Sequence, residues 1–515
     1  MSKENGGIIR QFDEEIFLNQ SLRVALLLIL VSLTATSQGY YVGQRFQLPD
    51  TSVSTETIPL PISPNRDDVK AVGMGKTQLA SGRTFNGMMY NPALLARDKF
   101  RFDIAGLQAS LPTTTLGAAS FLSSHADQFN NGQFLIDINE GIAEFNSATT
   151  PQQQVAAIQR INNGLRFLNE LQAEVVGSQD NPHTHGLGVI PNIQAQFGKW
   201  GFSLFANFQS GFQVQPGQTI SQIMALKLPD DPEAITLEGI RQLAGIVLPL
   251  INPNTGQLDL SNALPIAFAI SYADIIGAVG YAHTLSDELS LGANLKVINR
   301  RLSTKRIAND NLDEIISETR KDFSSSVTGF TFDLGALYAL KSTGTEFGLS
   351  LHNVIPIQKI TSRMTANFDV GAIVDYQRDS GGNPITNANG DTALVAVHRL
   401  VKLNIPFDLE TPFIANLGAI HALTDQWDVA LDWVDIAAQD KRYENYIERI
   451  RVGSEFRLEA INEVLGIAFR MGLADNQVTG GLGLNLFRVV QIDGAIARDS
   501  FIDETAYYAQ IKVGW

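Results

Sequence analysis

The sequence predicts an all-β chain, a transmembrane antiparallel β-barrel of about 14 strands with an N-terminal plug segment and helical loop insertions. Three observations carry that prediction. From residue 99 onward, strands of about 9–11 residues recur, each alternating apolar and polar side chains. Tight turns alternate with long insertions, the asymmetry of a barrel that crosses an outer membrane. The terminal stretch "ETAYYAQIKVGW" still alternates at its last residue, so it needs a paired neighbour on each side.

Composition narrows the class before any element is placed. The 515 residues are 44% hydrophobic and 18% charged, low in charge for a soluble protein of this size. A net charge of −15 excludes a nucleic-acid partner, which needs a basic footprint. With no cysteine there are no disulfides, thiolate metal sites or lipid-modified N-terminal Cys. The 43 glycines suit crowded strands and tight turns.

Residues 1–37 read as a signal peptide with an extended n-region. Arg23 precedes the apolar run "VALLLILVSL", and Ala35 and Ser37 in "TATSQG" are small enough for cleavage. The preceding stretch is unusually long and acidic, which a true start downstream of Met1 would explain. The competing reading is a buried N-terminal helix.

Residues 99–515 form the barrel in this reading. In "LSLGANLKV", Leu289, Leu291, Ala293, Leu295 and Val297 alternate with Ser290, Gly292, Asn294 and Lys296. "IQAQFGKWGFSLFANFQ" reads as a hairpin about Gly198–Lys199, and "GLGLNLFRVVQIDGAIA" as another. Further strands are expected near 100–110, 275–284, 327–340, 346–354, 367–377, 393–404, 413–423, 427–436, 446–458 and 464–474. The segment 265–282 is apolar enough to suggest a membrane helix, but Asp274 at its centre argues for extended chain with a turn there. Long insertions fall at 124–186, 302–326 and 378–392. Helices are expected near 135–177, where Ile158, Ile161, Leu165, Leu168 and Val175 form a stripe, and at 230–251. Those stripes either pack on one another or cap the barrel mouth. A soluble sandwich also alternates, but the turn asymmetry and Trp427 and Trp433, six residues apart on one face, favour the barrel.

If the apolar face meets lipid, the other face lines a lumen. Asp428 and Asp432 then point inward from one strand, and Arg449, Arg451, Glu455 and Arg457 from the next, so Asp432 could pair with Arg449 or Arg451. Such a polar network either braces the barrel or anchors a substrate head group. Tyr507, Ile511, Val513 and Trp515 make a C-terminal insertion signal for the barrel assembly machinery. No nucleophile elbow, zinc-protease motif or phosphate loop is present, so neither an enzyme nor a cofactor is expected. His183 and His185 supply two of the three or four ligands a metal site needs, and an exposed loop is expected there. The oxygen-rich stretches 309–314 and 383–391 lack EF-hand spacing, so no metal site is assigned.

One motif carries a family resemblance. "VGMGKTQLASGRTFNGMMYNPALLA" (72–96) places Gly73 and Gly75 ahead of Asn91–Pro92–Ala93. It resembles the N-terminal stretch of FadL-like long-chain fatty acid transporters and of the PorV family of type IX secretion. Among these it is most similar to the outer-membrane family named for the conjugal transfer protein TraF. "GFTFDLGALYAL" and "FGLSLHNVIP", with Asn353, resemble a later strand pair of such barrels. The resemblance implies that residues 38–98 form a hatch inside a 14-stranded barrel, with Gly73, Gly75, Asn91, Pro92 and Ala93 in the plug and a sideways gap in the wall. Arg83 and Thr84 depart from the small or acidic residues common in relatives. The implied function is a passive channel for hydrophobic or amphipathic small molecules. The alternative is a structural or interaction protein of a secretion or conjugation apparatus. The expected partners are outer-membrane lipid, a fatty acid or other hydrophobic ligand, or secretion or conjugation proteins. The expected location is the outer membrane of a double-membraned bacterium.

Overall fold

Fourteen strands close into an antiparallel barrel in a computed structural model of the chain. It describes residues 58–59, 68–80, 87–97, 100–126, 128, 133–177, 183–215, 266–307, 321–323, 326–376, 394–439, 443, 445–460, 464–502 and 504–514. The proposed signal peptide, the helix at 230–251, both oxygen-rich stretches, Arg83, Thr84 and Trp515 lie outside these residues.

In chain order the elements begin with β1 (Ile58–Pro59), α1 (Val69–Gly73), α2 (Gly87–Tyr90) and a 3-10 turn at Pro92–Ala96. Then come β2 (Phe100–Pro112), α3 (Thr113–Ser124), α4 (Gln133–Ser147), α5 (Pro151–Leu171) and a π turn at Gln172–Val176. The strands β3 (Thr184–Phe197), β4 (Trp200–Gln215), β5 (Ile266–Thr284), β6 (Leu289–Ile307), β7 (Val327–Leu340) and β8 (Thr345–His352) follow. Next are β9 (Ile357–Tyr376), β10 (Leu394–Thr411), β11 (Ile414–Ala422), β12 (Trp427–Trp433) and β13 (Ile450–Ala460). The chain finishes with β14 (Leu465–Ala474), β15 (Gln477–Leu486), β16 (Val490–Arg498) and β17 (Thr505–Gly514). The wall runs from β2 to β8 and from β11 to β17, and β17 pairs with β2 to close it. Pairing on both sides leaves no edge for another strand to add to.

Alternation sorts the two faces. On β4, Ser203, Phe205, Asn207 and Gln213 are buried in the lumen, while Phe202, Leu204 and Phe212 are exposed outside. The same division holds on β17, where Tyr508, Gln510 and Lys512 are buried and Tyr507 and Ile511 exposed. Large apolar side chains therefore cover the outer wall, Leu204 at 54% and Leu482 at 58% exposure among them. Aromatic residues gather towards the short-turn end: Phe100, Phe197, Trp200, Tyr281, Tyr338 and Phe347. Trp427 and Trp433 open and close β12, about 20 Å apart at the usual rise. Oily wall between aromatic ends is the surface a bilayer solvates.

Three expectations need correction. Segment 265–282 is one continuous strand, β5, and Asp274 turns nothing; it points into the lumen, where Arg300 neutralises it. The strands expected near 367–377 and 393–404 exist but are not wall. They are β9 and β10, a long hairpin joined by β1 into a separate three-stranded sheet. The wall skips from β8 to β11, which pair directly. Asn353, at φ +53, takes the chain off the wall, and its Nδ2 donates to the Pro412 carbonyl where the chain returns. Last, residues 446–449 are not strand: Ile447–Arg449 form a 3-10 turn, so β13 begins at Ile450.

The helices sit at the long-loop end. Thr150 and Gln153 form a capping box and Pro151 occupies the first turn, which sets where α5 begins. Gly141 and Gly164 bring α4 and α5 together, since a Cβ on Gly164 would lie 2.5 Å from the Phe134 carbonyl oxygen. The expected stripe of Ile158, Ile161, Leu165 and Leu168 is buried. Helix α3 was not legible as a helix, because its residues carry almost no one-sided apolar pattern.

Candidate functional site

The site is the lumen and the segment lodged in it. Residues 68–80 and 87–96 are almost wholly buried and run across the inside of the wall. Asp68 caps α1 by accepting from the Lys70 backbone N–H, and its other oxygen takes the Lys512 ammonium at 2.6 Å. Gly73 approaches β15 so closely that a Cβ would lie 3.0 Å from Gly481 Cα. Gly75 has φ +63, and a Cβ there would lie 2.3 Å from the Val452 carbonyl oxygen, so only glycine fits. Its N–H donates to Thr479 Oγ1 at 2.9 Å. Asn91 caps the 3-10 turn, and its Nδ2 donates to the carbonyls of Leu79 and Ala336, both at 3.0 Å. Pro92 and Ala93 lie against Gly292 of β6.

The wall is shaped for this segment. Lumen-facing glycines at 201, 280, 292, 335, 348, 418, 453, 472 and 481 leave space where inner residues or their caps press on strands. This signal was present in the sequence, but only the strand register shows that these glycines share one band inside the barrel.

The polar network is larger than expected and differently wired. Asp432 is opposite Arg451 in register, yet its Oδ2 accepts from the backbone N–H groups of Gln78 and Leu79, at 2.7 and 3.2 Å. The expected pairing of Asp432 with Arg449 or Arg451 is therefore replaced by a cap on the inner segment. Arg451 donates to the Lys76 carbonyl and Tyr443 hydroxyl, and Arg449 lies 3.9 Å from Asp435. Arg457 bonds Asp428 and Glu455. The centre is Glu455, which was on the expected inner face but not singled out. It takes Lys70 at 2.8 Å and Arg470 at 3.0 Å, and Arg470 continues to Asp493 at 2.7 Å. A second buried set joins Lys296 to Asp333 at 2.7 Å and to Asn353 at 2.9 Å. Asp68, Lys70, Arg470, Asp493 and Lys512 were missed because their partnerships depend on cross-strand register.

A cavity of about 470 Å³ lies at the short-turn end beside this network. Lys70, Glu455, Arg470 and Lys512 line it, with Phe100 and Leu458 among its apolar walls. Met88 and Met89 of the inner segment pack on Ile190, Phe205, Ile276 and Ile298 of the wall, forming an apolar cluster within the lumen.

The wall ladder is interrupted in one neighbourhood. Between β2 and β3 the register shifts between Asp103 and Gly106, and Ile104 and Ala105 both face outward. Between β3 and β4 pairing stops at Val189 and resumes at Asn192, skipping Ile190 and Pro191. Proline has no N–H to give the ladder.

His185 is not on an exposed loop as expected, and His183 is half-buried just before β3. His185 is buried at the start of β3, with Nε2 2.7 Å from the Val175 carbonyl and its ring stacked on Phe212. Among the described residues, no group of three or more histidine or carboxylate ligands comes together.

The family described as "F plasmid transfer operon, TraF, protein" matches residues 88–460, more than half of the chain. Among solved structures, the toluene transporter TodX of Pseudomonas putida is similar at 12% identity and TM-score 0.38, over 88% of this chain and 98% of that one. The CymD monoaromatic hydrocarbon channel is similar at 11% identity and TM-score 0.37, over 86% and 95%. A Pseudomonas aeruginosa FadL homologue is similar at 8% identity and TM-score 0.37, over 88% and 99%. No curated protein matches the sequence.

Proposed function

The chain belongs to the TraF family of the F plasmid transfer operon, and we propose that it is an outer-membrane channel for hydrophobic or amphipathic small molecules. One observation carries the reading: a closed barrel with an oily outer wall holds a plug that meets the strands through an apolar cluster in the lumen. A soluble protein would not leave so large an apolar perimeter in water. The plug blocks straight passage, and the interrupted ladder at Ile104–Ala105 and Ile190–Pro191 is the side exit towards lipid. In proteoliposomes, the purified barrel is expected to speed transfer of a labelled fatty acid. Transfer no faster than with an inert barrel of equal strand number removes the channel reading.

A second reading is favoured by the long-loop end. The β9–β10 hairpin has strands of 20 and 18 residues and is not part of the wall. Such an arm, with helices α3 to α5, suits a docking platform for a secretion or conjugation protein. Crosslinking in native membranes followed by recovery of the barrel tests it, and absence of any protein partner counts against it.

A further inference from the structure

Three lumen-facing amides on β3 and β4 are deeply buried and carry polar atoms without partners. Asn192 is 4% exposed, Asn207 5% and Gln213 1%. Neither amide atom of Asn192 or of Gln213 has a hydrogen-bond partner, and Asn207 Oδ1 has none. Asn207 Nδ2 is used, donating to the Tyr272 hydroxyl at 3.1 Å. Gln213 lies six residues from Asn207 along β4, about 20 Å at the usual rise. Asn192 sits opposite Phe205, one inward position further towards the plug. Together the amides trace a track down one side of the lumen, ending beside the interrupted ladder.

Leaving a buried polar group without a partner is costly, so native interiors rarely keep several on one path. The neighbours define what would pair with them. Asp274 is opposite Asn207 in register and Arg300 opposite Asp274. Arg300 binds Asp274 through Nε at 2.8 Å and Nη2 at 2.6 Å, and gives Nη1 to Thr411. Lys512, opposite Gly106 and so two strands from Asn192, is held by Asp68. These cations are already neutralised, so the track presents uncharged donors and acceptors rather than a counter-charge. Phe205, Ile276 and Ile298 lie beside it in the apolar cluster.

We propose that the lumen selects uncharged amphiphiles, whose hydroxyl or amide group pairs with Asn192 and Asn207 while the hydrocarbon tail takes the place of Met88 and Met89 against Phe205, Ile276 and Ile298. This rests on the channel reading and names its substrate class. Ligands with one hydroxyl or amide head exchange hydrogen bonds in both directions with an amide side chain, which neither a hydrocarbon nor a carboxylate does.

The test is equilibrium binding of decane, 1-decanol, decanamide and decanoate to the full chain in lipid nanodiscs, with uptake by empty nanodiscs subtracted. The alcohol and the amide are expected to bind about tenfold more tightly than decane or decanoate, equivalent to about 1.4 kcal/mol. In N192L/N207L, folding being checked by heat-modifiable gel mobility, that preference is expected to vanish. If the double variant does not fold, N192L alone is expected to lose part of the preference. Equal binding of decane and decanol overturns the amide track and leaves the channel standing, as does tightest binding of decanoate. Preference undiminished in N192L, or persisting in the double variant, overturns the residue assignment. Binding of none of the four overturns the channel reading as well.

Discussion

The two halves of the inner segment are held to the same wall by different physics. Residues 68–80 are seated by charge: Asp68 on Lys512, Lys70 on Glu455, Lys76 on Asp475 at 2.7 Å. Residues 87–96 are seated by shape: Met88, Met89 and Leu95 in an apolar cluster, and Pro92 and Ala93 in the space left by Gly292. Buried ion pairs are poor sources of net stability, because desolvation offsets most of their attraction, yet breaking one is costly. Apolar fit gives stability without that dependence on a single partner. The charged half is therefore specified by its partners and the apolar half by volume. The charged half also borders the cavity at the short-turn end, where Lys70 contributes to the lining.

The comparison can be broken at Gly75. Gly75→Val adds a branched side chain at positive φ and drives it into the Val452 carbonyl. A loss of about 2–5 kcal/mol in docking of the inner segment is expected. Gly292→Ala on the shape-seated side meets the Pro92 backbone without positive φ, and about 1–3 kcal/mol is expected there. Urea titrations read by protease cleavage of the inner segment would rank the two, and equal losses would remove the distinction at Gly75.

Glu455→Ala sharpens the charge argument. It strips Lys70 and Arg470 of a shared carboxylate, at an expected cost of about 3–5 kcal/mol. Converting Lys70, Glu455 and Arg470 to methionine and Asp493 to asparagine, so that no charge of the network is left unpaired, should recover most of that loss. A quadruple variant as unstable as Glu455→Ala would show that the network contributes net stability, contrary to the comparison.

Asn91 joins the halves, bonding Leu79 in one and capping Ala93 in the other. Asn91→Ala is expected to cost about 1–2 kcal/mol through the lost cap and an unpaired carbonyl. Hydrogen exchange should then rise in both halves, and a rise confined to residues 91–96 would show that they are not coupled through this side chain.

The smallest effect lies away from the inner segment, in the turn between β16 and β17. Burial pushes the Glu504 carboxyl above its usual range, opposed by a backbone bond from Thr184 and by His183 and Arg498. A carboxyl whose pKa is raised by folding destabilises the fold when ionised, so its penalty is present at neutral pH. That penalty is relieved as pH falls through the raised pKa and is gone below about pH 4. E504Q should therefore melt slightly higher than the parent at pH 7 and no higher at about pH 4. Melting temperatures in detergent at the two pH values check the sign.

Much of the wall was legible. Strands such as 289–297 and 327–340 announce themselves because lipid outside and polar lumen inside force a period of two. The hairpin β9–β10 carries the same alternation and was read as wall, since period two reports a two-faced strand and not which sheet owns it. Asp274 misled for a related reason. A charge in an apolar run suggested a turn, while its partner Arg300 waits 26 residues away on the next strand. Asp432 was placed on the inner face, but its use as a cap for Gln78 and Leu79 spans more than 350 residues, beyond the reach of local pattern.

What the sequence determined by itself is the local rule: which residues face lipid, which face inward, and where Gly75 and Asn91–Pro92 force the chain to bend. Those follow from sterics and hydrophobic periodicity within a few residues. What the tertiary structure alone decided is ownership: which strands close the wall, which carboxylate holds which cation, and which amides are left over. Those depend on register between strands far apart in the chain, and electrostatic and hydrogen-bond partners act through distance in space, which no one-dimensional period encodes.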